Sequence, residues 1–234
     1  MGTLYLVRHG QASFGAADYD NLSPLGAQQA QALGAYFARK KWQFDGALMG
    51  TLRRHTQTFE SITQGMQSGG VKAPAAITWP GLNEYDSEAV IHAIHPAPLS
   101  TERTPETYRH HFGLLRKGLQ AWMQGNTQPL GMPSYPDFLR GVTSALDHVR
   151  EQFSTNPEAK VLIVSSGGPI STAVGYVLGT TPEMTIELNL RIRNSSVTEF
   201  AYTPKRHMLV TYNTLPHLEE LPDWVTYEIG RAHV

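Results

Sequence analysis

Three short segments carry residue types that together can handle a phosphate group. They are Arg8-His9-Gly10 near the start, Arg53-Arg54-His55, and Ser165-Ser166-Gly167-Gly168 far downstream. An arginine guanidinium grips phosphate oxygens in pairs and keeps its charge at every working pH. A histidine is nucleophilic when one ring nitrogen is unprotonated, and a backbone carbonyl can hold the proton on the other. Gly10, directly after His9, lets a phosphate approach the main chain. Helices expected to begin after Arg54 and Gly168 would aim N–H groups and a positive dipole end at an anion. A histidine between two arginines, facing two helix starts, suits in-line phosphoryl transfer, where positioning and charge stabilisation supply most of the rate. The plainer alternative is a structural histidine at a strand end, satisfied by a neighbouring carbonyl.

For these segments to meet, the chain must bring several strand ends to one edge. Thr3-Leu4-Tyr5-Leu6-Val7 predicts a buried strand ending at Arg8. Ser23-Pro24 reads as an N-cap followed by proline at the first helical position, and Ala30, Leu33, Tyr36 and Phe37 share a face. That predicts a helix over about 24–39. A second strand is expected over 45–49, a helix from Arg54 to about Met66, and a short strand over 75–79. Alternation then lapses between Glu84 and Tyr135, apart from one helical segment over roughly 105–123. It resumes with the helical stripe Phe138, Val142, Ala145, Leu146, Val149 and Phe153. Val161-Leu162-Ile163-Val164 is a continuous apolar run, expected of a central parallel strand buried on both faces. A helix over 170–178 and a hairpin of strands over 197–202 and 208–212 complete the pattern. The fold class expected is α/β: a three-layer sandwich with a mostly parallel central sheet, as one domain over 1–234. An insertion at about 85–135 is expected to cover one end of the sheet. In such sheets ligands gather at the carboxyl ends of the strands.

Composition narrows the partners. The chain has 234 residues, 41% hydrophobic and 17% charged, with a formal net charge of −1. So neutral a chain has no general pull on nucleic acid or an anionic membrane, and anion binding must come from a local cluster. The lack of cysteine removes disulfides, thiolate metal sites and a cysteine nucleophile. No basic stretch followed by a long apolar run opens the sequence, so no secretory signal is expected and the cytoplasm is the expected location. No glycine-rich loop follows the first strand, which disfavours a Rossmann-type nucleotide site.

Leu6-Val7-Arg8-His9-Gly10-Gln11-Ala12 resembles the signature of the histidine phosphatase superfamily, also called phosphoglycerate mutase-like. Leu22-Ser23-Pro24-Leu25-Gly26 with Gln29-Ala30 is similar to the start of that family's first helix. The run from Gly50 to Thr58 resembles its Ser-x-Leu-x-Arg-Ala-x-x-Thr segment, with Arg54 at the phosphate-binding arginine and Arg53 at a variable position. Leu82-Asn83-Glu84 resembles the segment of the acidic proton donor, and Asn194-Ser195-Ser196-Val197 the start of a late strand. The resemblance implies that His9 attacks phosphorus and becomes phosphohistidine. It implies that Arg8 and Arg54 hold phosphate oxygens and that Glu84 serves as general acid and then base, with no metal or other cofactor. Gly10, Ser166 and Gly167 join the expected phosphate contacts.

The sequence departs from the family at one position of consequence. Where the family carries a second histidine, in a Val-Ser-His-Gly-Gly segment, this chain has Ser166. A hydroxyl donates one hydrogen bond but brings no positive charge, and losing one preorganised donor typically costs about 10²–10³ in rate. His92, His95, His110 and His111 in the insertion are the histidines considered as replacements. The expected activity is hydrolysis of a phosphomonoester, slowed by Ser166. The alternatives are a catalytically weak phospholigand-binding pseudoenzyme and a phosphoglycerate mutase-type phosphotransferase. The second is disfavoured because the loop over 11–21 lacks the tryptophan that the resemblance leads one to expect of a mutase. The expected partner is a small phosphorylated substrate, with no nucleic acid or membrane. Aromatic residues in the insertion allow an apolar leaving group.

Overall fold

In the computed structural model the described residues are 1–13, 20–100, 102, 104–229 and 232–233. Most of the loop expected over 11–21 therefore lies outside the described residues. Strand β1 (Gly2–Arg8) is followed by helix α1 (Pro24–Arg39), β2 (Gly46–Met49), α2 (Arg53–Ser68) and β3 (Ala76–Thr78). Then come α3 (Ser87–His92), α4 (Pro105–Met123), α5 (Tyr135–Gln152), β4 (Lys160–Ser165), α6 (Gly167–Leu178) and α7 (Pro182–Arg191). Strands β5 (Val197–Thr203) and β6 (Arg206–Thr214) close the main sheet.

The six strands lie in the order β3-β2-β4-β1-β5-β6. β3, β2, β4 and β1 run parallel, while β5 and β6 are antiparallel to their neighbours, so the sheet is mixed. The register decides where the chemistry sits. Arg8 pairs with Ser165, and Val7 and Met49 both pair with Val164. The carboxyl ends of β1, β2 and β4 thus share one edge, and the three polar segments emerge there together.

Alternation along the strands splits the core in two. Leu4, Leu6, Val161 and Ile163 face the helices of the downstream half, where Trp122, Val142, Leu146 and Ile170 pack on them. Tyr5, Val7, Leu162 and Val164 face α1 and α2, meeting Leu33, Phe37, Ile62 and Met66. Strands so placed are covered on both sides, which explains their nearly unbroken apolar runs. Ser23 caps α1 by accepting the Gly26 N–H at 3.0 Å, with Pro24 in the first turn as expected. Thr104 and Thr107 form a capping box at the start of α4.

Two helices escape the sequence pattern. The six residues of α3 are too short to show a 3.6-residue period, although Asp86 caps it through the Glu88 and Ala89 N–H groups. Helix α7 follows α6 directly, capped by Thr181, and packs against it. It delivers Ile192 to the site edge. No described helix is long and apolar enough to cross a membrane.

Candidate active site

His9 follows the last residue of β1 and is 2% exposed. Its main chain is fixed from two sides. Its N–H donates to the Ser165 carbonyl at 2.9 Å, and its carbonyl accepts the Ser195 N–H at 3.1 Å. The ring is fixed as well, because Nδ1 lies 2.7 Å from the Gly10 carbonyl oxygen. A carbonyl only accepts, so Nδ1 carries the proton and Nε2 keeps its lone pair. Burial, followed by the charges of Arg54 and Arg8 and the neighbouring His55, holds the His9 pKa well below the usual histidine range. The imidazole is therefore neutral and its Nε2 is a ready nucleophile.

Two arginines flank it. Arg8 is buried at the end of β1 and its Nη1 donates to the Ile192 carbonyl at 2.6 Å. Arg54 is buried in the first turn of α2, and its Nη1 meets Asp20 Oδ1 at 2.8 Å. Arg53 points outward, and its backbone N–H donates to Asp20 Oδ2 at 2.8 Å. The helix thus turns Arg54 inward and Arg53 outward.

Glu84 comes from the turn after β3. Its two carboxylate oxygens accept the Gly168 N–H at 3.1 and 3.2 Å, and the Tyr85 N–H lies 3.2 Å from Oε1. A Cβ on Gly168 would stand 2.2 Å from Glu84 Oε1, so glycine is what lets the carboxylate reach the start of α6. Burial raises the Glu84 pKa, against the opposing pull of the Gly168 N–H and then of Arg54 and Arg8. Ser166, the residue before α6, is fully buried, and its Oγ lies 2.7 Å from His55 Nε2. The rings of His9 and His55 are 5.9 Å apart. Among the described residues no group of three or more His, Asp or Glu is placed to hold a metal ion.

The model of the histidine phosphatase superfamily (branch 1) matches residues 4–215. The chain belongs to this superfamily. Comparison with curated protein sequences gives no match. Solved structures with the same fold include a phosphoserine phosphatase variant from Entamoeba histolytica in complex with phosphoserine. It is 20% identical, with 93% of this chain and 100% of that one covered and a TM-score of 0.63. The α-ribazole phosphatase of Shigella flexneri is 19% identical, covering 91% and 96%, with a TM-score of 0.61. A phosphoglycerate mutase from Bacillus anthracis is 18% identical, covering 92% and 94%, with a TM-score of 0.62.

In this member of the histidine phosphatase superfamily, Arg8, His9, Arg54, Glu84, Ser166 and Gly167 come together at one sheet edge. Several expected roles change. Gly10 does not offer its N–H to an anion, because that group donates to Thr58 Oγ1 at 3.1 Å. Its carbonyl holds the His9 ring, and a Cβ there would stand 2.2 Å from the Gly26 carbonyl oxygen. Gly10 thus braces His9 against α1. The start of α2 likewise spends the Arg53 N–H on Asp20, and α6 spends the Gly168 N–H on Glu84.

Four insertion histidines were candidates to replace the missing one. His92 is exposed on α3, the His95 and His110 rings lie 6.0 Å apart, and His110 and His111 line a separate hollow with Leu99, Glu106 and Thr107. The histidine against Ser166 is instead His55. A signal for it existed in the sequence. His55 stands at the alanine of the resembling segment and Gly50 at its serine, so two of the three departures from the pattern, His55 and Ser166, are residues that touch, and the third, Gly50, lies against His55. Asn194 and Ser195 were matched only as the start of a strand. Ser195 in fact takes up a left-handed conformation (φ 55°) and holds the His9 carbonyl, while its Oγ lies 2.9 Å from His217 Nε2.

Proposed function

We propose that the protein is a phosphatase that hydrolyses a small phosphomonoester through a phosphohistidine on His9. The observation that carries this reading is the Nδ1 contact to the Gly10 carbonyl, which leaves Nε2 unprotonated between Arg54 and Arg8. His9 Nε2 attacks phosphorus and the bond from phosphorus to the leaving oxygen breaks. Glu84, whose pKa burial raises, gives its proton to that oxygen in its acid form. Water then attacks phosphorus and gives a proton to Glu84, the N–P bond breaks, and inorganic phosphate leaves. Arg8 and Arg54 offset the charge on the equatorial oxygens in both steps. For Arg54 this means sharing or exchanging its contact with Asp20.

An apolar hollow adjoins the start of α6. A narrow cavity beside Gly168 is lined by Tyr85, Leu119, Trp122, Phe138 and Asn189, mostly from the insertion and α5.

Hydrolysis of an aryl phosphate tests the reading. Wild type should turn over and yield an acid-labile phosphoenzyme, and His9→Ala should abolish both. Turnover retained in His9→Ala overturns the assignment of the nucleophile. Phosphate binding with no turnover of any phosphomonoester would favour the pseudoenzyme instead.

A further inference from the structure

The wall beside His9 carries a pair that the steps above do not use. Ser166 occupies the N-cap position of α6, yet its side chain makes no capping hydrogen bond. Serine at that position ordinarily satisfies a helix N–H, so something else sets its rotamer. That partner is His55, whose Nε2 lies 2.7 Å from Ser166 Oγ, with both side chains fully buried. His55 Nδ1 has no hydrogen-bond partner among the described residues. It lies over Gly50, where a Cβ would come within 2.2 Å of it, so Gly50 makes the room for this ring. A buried N–H without an acceptor is rarer and more costly than an idle lone pair. The His55 proton therefore sits on Nε2 and is donated to Ser166 Oγ. The hydroxyl is left with its own proton to give. Burial, then the charge of Arg54, keeps His55 neutral in this arrangement. Ser166 adjoins Ser165, which binds the His9 N–H, and the two imidazoles are 5.9 Å apart.

We infer that His55 is a positioning residue that aims the Ser166 hydroxyl at the phosphoryl group on His9, the pair together doing the work of the family's missing second histidine. This rests on the reading of His9 as the phosphate acceptor. The residue exchange is reciprocal, with a large side chain where the family pattern has alanine and a small one where it has histidine. The substitutions compensate in volume as well as in hydrogen bonding.

Reversing the exchange tests the idea. His55→Ala, Ser166→Ala, Ser166→His and the double variant His55→Ala/Ser166→His are compared with wild type in two assays. One is aryl phosphate turnover, and the other is calorimetric binding of inorganic phosphate, which needs no catalysis. Ser166→Ala should lower kcat by about 10²-fold with a smaller change in KM. His55→Ala should approach that loss. Ser166→His alone should also lose activity, because the new ring collides with His55. The double variant should exceed both of its parents by about tenfold in kcat and bind phosphate more tightly than either. His55→Gln, whose amide nitrogen reaches the place of Nε2, should recover part of the loss and preserves a folded site should His55→Ala fail to fold.

If wild type turns over but the double variant is no better than its better parent, the pairing is wrong and the hydrolase reading stands. If His55→Ala folds with kcat and phosphate affinity unchanged, the pairing is equally wrong. If no phosphomonoester turns over, the hydrolase reading fails. Phosphate binding that weakens in His55→Ala and returns in the double variant then still supports the pair.

Discussion

At the residue scale the site holds two groups whose pKa values are displaced in opposite directions. Burial is the chief cause of both shifts, lowering the His9 pKa and raising that of Glu84. The sign for Glu84 matters. Its raised pKa keeps the acid form available to higher pH than an ordinary carboxylate allows, and that form is lost as pH rises through it. Turnover of an alkyl phosphate, whose leaving oxygen needs a proton, should fall on that alkaline limb. Glu84→Gln should remove the limb and lower kcat by about 10²–10⁴. An aryl phosphate with an acidic phenol should lose much less in its first step. Equal losses for both leaving groups, measured by pre-steady-state release, would mean that Glu84 is not the proton donor.

At the element scale the site depends on how closely α1 and α2 approach. A Cβ on Gly34 would stand 2.0 Å from the Ile62 carbonyl oxygen, and one on Gly65 would stand 2.1 Å from that of Gln31. The two helices touch backbone to backbone at these points. Helix α2 carries Arg54, His55 and Thr58, and α1 carries the Gly26 that braces Gly10. Gly34→Ala or Gly65→Ala should push the helices apart, at a cost of about 1–3 kcal/mol in stability. The same shift moves Arg54 against His9, so kcat should fall in protein that is still folded. Denaturation and kinetics on one sample check both, and a stable variant with altered stability but unaltered kcat would separate packing from site geometry.

At the scale of the whole molecule, folding buries several histidines in neutral form. Burial, with a smaller push from Arg39, takes the His217 pKa down to about 3, and His9 and His55 are also held well below the usual range. In the unfolded chain these groups bind protons below about pH 6.5. A depressed folded pKa contributes stability that is present above the unfolded value and is lost as pH falls toward the folded one. Each such histidine should remove about 1.4 kcal/mol per pH unit below about pH 6.5, before carboxylates titrate. Urea unfolding between pH 7.5 and 5 should show this slope, and His217→Gln should reduce it by one proton's worth. An unchanged slope in that variant would show that His217 is not buried neutral.

The sequence by itself determined the strands, the long helices and the identity of the charged strand ends. Apolar runs such as Val161 to Val164 and caps such as Ser23-Pro24 are local statements that burial and backbone geometry enforce wherever they occur. It also determined that Arg8, His9 and Arg54 are suited to phosphate, since that follows from side-chain chemistry. Helix α3 was illegible because six residues carry no period. The roles of Gly10, Gly168 and His55 were decided only in three dimensions. Whether an N–H is free for an anion depends on what else reaches it, and here Thr58 and Glu84 do so from 48 and 84 residues away. His55 and Ser166 are 111 residues apart, and only the parallel pairing of β2 with β4 brings their strand ends together. The sequence therefore shows that a histidine is missing from its usual place. The tertiary structure shows another histidine, His55, in contact with the serine that stands there.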